Sequence, residues 1–123
     1  MALPENRSLS EASVSCYMAD LSTAGSAFVT SPWRGTLKRV YSAIYNAITG
    51  ADAVWTVEIN NIAVTGISVT VTQSGSAAGD VDFDEPTDLS TARVNEGDRI
   101  EFISDGASST TCPIMFTAVI ERD

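Results

Sequence analysis

Apolar and polar residues alternate along most of this chain with a period of two, the spacing at which successive side chains reach opposite faces of a β-strand. In residues 13–18, Val14, Cys16 and Met18 alternate with Ser13, Ser15 and Tyr17. The Ala24-Gly25-Ser26 turn leads into Phe28-Val29-Thr30, and Pro32 closes that strand. From 53 to 59, Val54, Thr56 and Glu58 alternate with Trp55, Val57 and Ile59. Asn60-Asn61 then separate Ile59 from Ile62, the layout of a two-residue hairpin whose turn residues tolerate positive φ. Thr65-Gly66 predicts a further turn. Ile67, Val69 and Val71 oppose Ser68, Thr70 and Thr72, a strand with one buried face. After the 74–80 loop, Val81 and Phe83 are expected to turn inward, with Asp80, Asp82 and Asp84 on the solvent side. Asn95-Glu96-Gly97-Asp98 turns the chain into Ile100 and Phe102, whose neighbours Arg99 and Glu101 face water. The last strand places Cys112, Ile114, Phe116, Ala118 and Ile120 on one face and Met115, Thr117 and Val119 on the other, so both faces are expected to be covered.

One segment breaks the rhythm. Leu37, Val40, Tyr41, Ile44, Tyr45 and Ile48 recur at helical spacing. Against a helix stand the β-branched and aromatic residues at 36, 40, 41, 44, 45, 48 and 49. Periodicity and propensity leave helix and strand open for 36–48. Elsewhere turn signals recur every 8–12 residues or so, a rhythm that predicts an all-β sandwich or barrel.

The length of 123 residues suits one core. The expected organisation is a flexible N-terminal arm over residues 1–11, poor in apolar anchors, and a single β-sandwich domain over residues 12–123. The first residues contain no apolar run of signal-peptide length and no later stretch approaches a membrane span, so neither export by a signal peptide nor a membrane partner is expected. The formal net charge is −9, which disfavours nucleic acid as a partner. Residues 1–50 hold four basic and three acidic groups, so the remainder carries the excess of acid. That split reads either as a weakly basic face that orients the molecule on a charged partner or as a solvated acidic surface. Cys16 and Cys112 lack C-x-x-C spacing and read as small buried hydrophobes, with a disulfide as the alternative.

The chain contains no histidine, which removes Ser-His and Cys-His nucleophile pairs and histidine metal ligands. The glycines at 66, 75, 79, 97 and 106 are spread among turns, and Lys38 is not in a phosphate-loop context. Asp80, Asp82 and Asp84 start like a calcium loop, but Pro86 stands where the turning glycine belongs and Thr91 where the bidentate carboxylate belongs. No catalytic residue, metal or cofactor is therefore expected. Trp33 with Arg34, Lys38 and Arg39 groups an aromatic and three cations near a bend, either an interface anchor or a core Trp beside a solvated edge. Trp55, Tyr41 and Tyr45 read as core, subunit interface or a sugar-stacking platform.

The runs Arg34-Gly35-Thr36-Leu37-Lys38-Arg39-Val40-Tyr41, Val57-Glu58-Ile59-Asn60-Asn61-Ile62-Ala63-Val64-Thr65-Gly66, Gly75-Ser76-Ala77-Ala78-Gly79-Asp80 and Val94-Asn95-Glu96-Gly97-Asp98-Arg99-Ile100 resemble a family of small tailed-bacteriophage proteins, the capsid decoration or cement proteins. The likeness covers about residues 34–122, and it departs where Asn60-Asn61 stands for an Asn-Gly turn common in that family. It implies an all-β, jelly-roll-like antiparallel β-sandwich of about eight strands, assembled as a homotrimer, made in the host cytoplasm and seated on the outside of the virion capsid, with the major capsid protein as partner. It also favours a strand for residues 36–48. On this reading Arg7, Trp33, Arg34, Lys38 and Arg39 are candidates for capsid binding, and Met115, Thr117 and Val119 for the trimer interface. The alternative is a carbohydrate- or receptor-binding module of a phage fibre or spike.

Overall fold

The computed structural model describes residues 10–123. Among them nine strands form: β1 Glu11–Met18, β2 Gly25–Thr30, β3 Gly35–Ile44, β4 Ala53–Ile59, β5 Ile62–Val71, β6 Val81–Asp84, β7 Arg93–Val94, β8 Arg99–Ser104 and β9 Ile114–Arg122. One sheet runs β1-β9-β3-β6, with β7 also on β3, and the other runs β2-β8-β4-β5; every pairing is antiparallel. The two sheets pack as the expected jelly-roll-like sandwich.

The alternation read from the sequence is the alternation of burial. Ile114, Phe116, Ala118 and Ile120 of β9 are fully buried, as are Trp55 and Val57 of β4 and Ile100 and Phe102 of β8. Phe116 bridges the sheets, stacking on Phe102 at 4.6 Å and meeting Trp55 edge-on at 5.0 Å. The Trp55 indole N–H donates to the Ser42 hydroxyl at 3.1 Å, which satisfies a buried donor from the opposite sheet. Asn60 and Asn61 form the expected hairpin with φ of 49° and 70°. Both cysteines are free: Cys112 is buried and donates to the Asn46 carbonyl, whereas burial pushes the partly covered Cys16 thiol up to about 11.

Residues 35–44 are a strand, and its helical spacing has a local cause. The register of β3 on β9 slips between Leu37 and Arg39, a β-bulge that spends one residue without a change of face. Leu37 and Val40, three apart, therefore both reach the core, and regular alternation resumes through Ser42 and Ile44.

Two expectations are corrected. Thr65-Gly66 is no turn: β5 runs unbroken through it, and the register to β4 shifts between Thr56 and Glu58. Gly66, at φ 96°, sits in the bulged part of the strand against Thr87. The second correction concerns β6, where Val81 and Phe83 point out and Asp82 and Asp84 point toward the sandwich edge. Asp82 pairs with Ser42 and Asp84 with Val40, both inward on β3, so the register dictates the faces against hydrophobicity. Asp84 uses this position to accept the amide of Ser68 across the gap to β5.

Candidate interaction surfaces

The outer face of the β1-β9-β3-β6 sheet holds two complete cross-strand rows without a charge: Tyr17, Met115, Ala43 and Val81, then Ser15, Thr117, Tyr41 and Phe83. A third row begins Ser13, Val119 and Arg39. Tyr17 is 53% exposed, and Val81 and Phe83 are each 61% exposed. The rings associate with one another. Tyr17 and Tyr45 meet edge-on at 6.0 Å, and Tyr41 lies 5.8 Å from Phe83. With strands about 4.8 Å apart and same-face rows about 7 Å apart, the uncharged rows cover on the order of 300 Å². The largest apolar patch of a typical monomer is about this size and is often functional.

The sequence places Met115, Thr117 and Val119 on this face, and so does the structure, each partly exposed between β1 and β3. Sequence reasoning missed Val81 and Phe83, because only the register with β3 brings them to the same side. Trp55 is fully buried and cannot serve a sugar platform; Tyr41 and Tyr45 lie on the outer face with Tyr17 and Phe83 in its stead.

The cations near the bend do not form one cluster. Arg34 reaches the carboxylate of Asp123 at 3.2 Å, beside Arg93, which grips both oxygens of the same group at 3.0 and 2.6 Å. Hydrogen bonding from Arg93 holds the Asp123 carboxyl below its ordinary range. Trp33 packs against the edge of the core, with the Arg122 guanidinium 5.8 Å from its ring centre, and lines an open groove with Pro32, Arg34, Asn95 and Glu96. Arg39 lies on the outer face between Glu11, at 3.9 Å, and Glu85, at 3.8 Å. Lys38 is half-buried at the bulge. Arg7 lies outside the described residues.

Other candidates are structural. Asp20 accepts from the Ser22 amide and hydroxyl, the Thr23 hydroxyl and the Cys112 amide, and these bonds hold its carboxyl down to about 2. It thereby ties the β1–β2 turn to the segment before β9. Asp82 is shifted the other way, by burial first and by Asp80 second. Among the described residues no group of three or more carboxylates or thiols gathers as a metal site, and no helix is long and apolar enough to cross a membrane.

No family model matches the chain, and no curated protein matches it. Solved structures do. A chain of the cyanophage Pam1 capsid asymmetric unit aligns over 100% of this chain and 93% of its own length, at 12% identity and TM-score 0.54. A Bacillus subtilis family 43 arabinoxylan arabinofuranohydrolase aligns over 87% of this chain at 10% identity and TM-score 0.55. The catalytic unit of a Streptomyces thermodiastaticus family 87 α-1,3-glucanase aligns over 92% at 14% identity and TM-score 0.51. This chain spans only 21% and 26% of those two enzymes' lengths. At such identities the likeness is one of fold.

Proposed function

We propose that this protein is a virion structural protein that binds the outside of a phage capsid and stabilises the head, acting by adhesion as a homotrimer and without catalysis. The observation that carries the adhesive part is the uncharged aromatic face across four strands of a chain of net charge −9. Like-charged protomers repel along most of their surface, so copies of this chain meet most favourably where that face removes apolar area from water without confronting carboxylates. The capsid as partner follows from the resemblance of residues 34–122 to decoration proteins. It is supported by the end-to-end likeness to a phage capsid chain, where the two enzymes are matched over about a quarter of their length or less.

In this reading Met115, Thr117 and Val119 form the centre of the trimer contact, with Tyr41 and Phe83 beside them. Capsid binding falls to Arg7, Trp33, Arg34, Lys38 and Arg39, with the major capsid protein as partner and no role for nucleic acid. Several weak contacts to neighbouring shell subunits add up by avidity. Light scattering should give about three times 13.0 kDa at micromolar concentration. Thr117→Glu should weaken assembly at least about a hundredfold, because each carboxylate would be buried in the contact, while leaving the melting temperature of the protomer unchanged. A monomeric wild type sinks the trimer. Wild type that fails to bind undecorated heads sinks the capsid role.

The second reading, a carbohydrate- or receptor-binding module, is favoured by the same exposed rings, since tyrosine faces also stack on sugars. Binding of wild type to a glycan array, lost in Tyr41→Ala and Phe83→Ala, together with no binding to heads, would select it.

A further inference from the structure

The sandwich has four sheet edges, and they are treated differently. The free edge of β5 is closed from within: the Ser68 amide donates to Asp84 at 3.0 Å, the Thr65 amide to the Thr91 hydroxyl at 2.9 Å, and the Thr65 carbonyl accepts from the Thr87 amide at 3.0 Å. β6 is four residues long and alternates with aspartates, two devices that discourage pairing. β2 lies beside Glu101 and Arg99 of β8, which face Phe28 and Thr30 across the register.

β1 has none of these protections. Ile44 donates to the Asp80 carbonyl and Tyr45 to the Pro113 carbonyl, so on β3 even residues turn their amides toward β6 and odd ones toward β9. Carried across the registers, even residues of β9 bond β1 and even residues of β1 bond β9. The N–H and C=O groups of Ser13, Ser15 and Tyr17 therefore point outward along the free edge. Among the described residues no backbone or side-chain group bonds them. No formal charge occurs from Ala12 to Met18.

The neighbouring charges say what fits there. Glu11 stands directly opposite Glu121, a like-charge pair in which Arg39 lies 3.9 Å from Glu11. A strand added beside β1 would bring a residue into that row, and a basic one there would be attracted by both carboxylates. Four and six positions along, its side chains would extend the uncharged rows of Ser15 and Tyr17. A second copy that paired through residues 10–20 of its own β1 would offer no such cation, because that stretch contains no lysine or arginine.

We propose that β1 is a receiving edge for an extended segment of the shell subunit, a strand with a basic residue and apolar ones four and six positions from it. The proposal rests on the capsid reading and specifies how the shell is gripped, by β-strand addition. The test uses heads stripped of this chain, with wild type, Ser15→Pro and the control Thr70→Pro. Proline at 15 deletes an outward N–H that the β1–β9 ladder does not use, and proline at 70 does the same on β5. Ser15→Pro should bind heads at least tenfold more weakly with unchanged oligomeric mass, while Thr70→Pro binds as wild type does. In wild type, the amides of Ser13, Ser15 and Tyr17 should exchange hydrogen more slowly on heads than free. Equal binding of Ser15→Pro, or unchanged exchange at those amides, overturns the proposal while wild-type binding leaves the capsid reading intact. Loss of self-association in free Ser15→Pro assigns the edge to a second copy and also overturns it. Failure of wild type to bind heads ends both. Should Ser15→Pro not fold, the exchange measurement on wild type decides alone.

Discussion

Replacing Ser42 by alanine deletes the acceptor of the Trp55 indole N–H, in a place where neither group meets water: Trp55 is 0% and Ser42 2% exposed. Strand β3 is held from both sides there, by β9 and β6, so it cannot shift to offer another oxygen. An orphaned buried donor costs about 1–3 kcal/mol. The loss is partly offset because a methyl group suits the core better than a hydroxyl. A net destabilisation of about 1–2 kcal/mol is expected for Ser42→Ala, or about 4–8 °C in Tm for a domain of this size. Trp55→Phe should cost about 2–3 kcal/mol, since it loses ring volume between Phe102 and Phe116 and leaves a gap. In that background the N–H no longer exists, so adding Ser42→Ala should cost no more than about 0.5 kcal/mol. Urea unfolding followed by circular dichroism on all four proteins reads the coupling without relying on tryptophan emission. If Ser42→Ala cost the same in both backgrounds, the hydrogen bond would contribute nothing to the joining of the sheets, and the account of this core would be wrong.

Gly35→Ala should destabilise strongly, because a Cβ there would strike the Glu121 carbonyl on the backbone of β9, whereas Gly25→Ala, with 3.9 Å of clearance and no positive φ, should stay within about 0.5 kcal/mol of wild type; thermal melts compare them. Asp20 favours its ionised form when folded, so the stability it contributes is full above the ordinary carboxylate range and is lost as pH falls from about 4 through about 2; Asp20→Asn should flatten the acid limb of a plot of Tm against pH. Asp82 has the opposite sign, its charge being disfavoured in the fold, so Asp82→Asn should raise Tm at pH 7, with the gain shrinking as pH drops through its raised folded pKa toward the ordinary value. EDTA should leave Tm unchanged, and a reproducible fall of several degrees would mean that Asp80, Asp82 and Asp84 hold a stabilising cation.

The strands with strong alternation were readable because burial on one face leaves a period of two, as in β5 beyond Ile67 and in β9. The failures share a cause. A four-residue strand such as β6 has two possible faces, and composition favoured the wrong one; only its pairing with Ser42 and Val40 decides, and pairing is a property of distant chain. The bulge in β3 imitated a helix because one extra residue turns a spacing of two into three. Gly66 read as a turn because positive φ serves bulges as well as turns. The candidate surface was half legible for the same reason. Met115, Thr117 and Val119 announce themselves on a strand apolar on both sides, while Phe83 joins them only through register. Nor could the spacing of Arg34, Lys38 and Arg39 show that Arg34 and Arg39 turn to separate carboxylates.

The place of β9 between β1 and β3 has a consequence for the order in which the molecule can be made. β9 leaves the ribosome after the other eight described strands, yet it is the common neighbour of β1 and β3, so β1 must wait through some hundred residues of synthesis for its partner. The other sheet can pair β2, β8, β4 and β5 once residue 104 is free, but Trp55 and Phe102 then still lack Phe116 of β9, the ring on which both pack. Such long sequence separations slow folding and lengthen the exposure of sticky intermediates. Arrest of translation before residue 114 should therefore yield a nascent chain that stays sensitive to protease, and completion of β9 should be the step that makes it resistant.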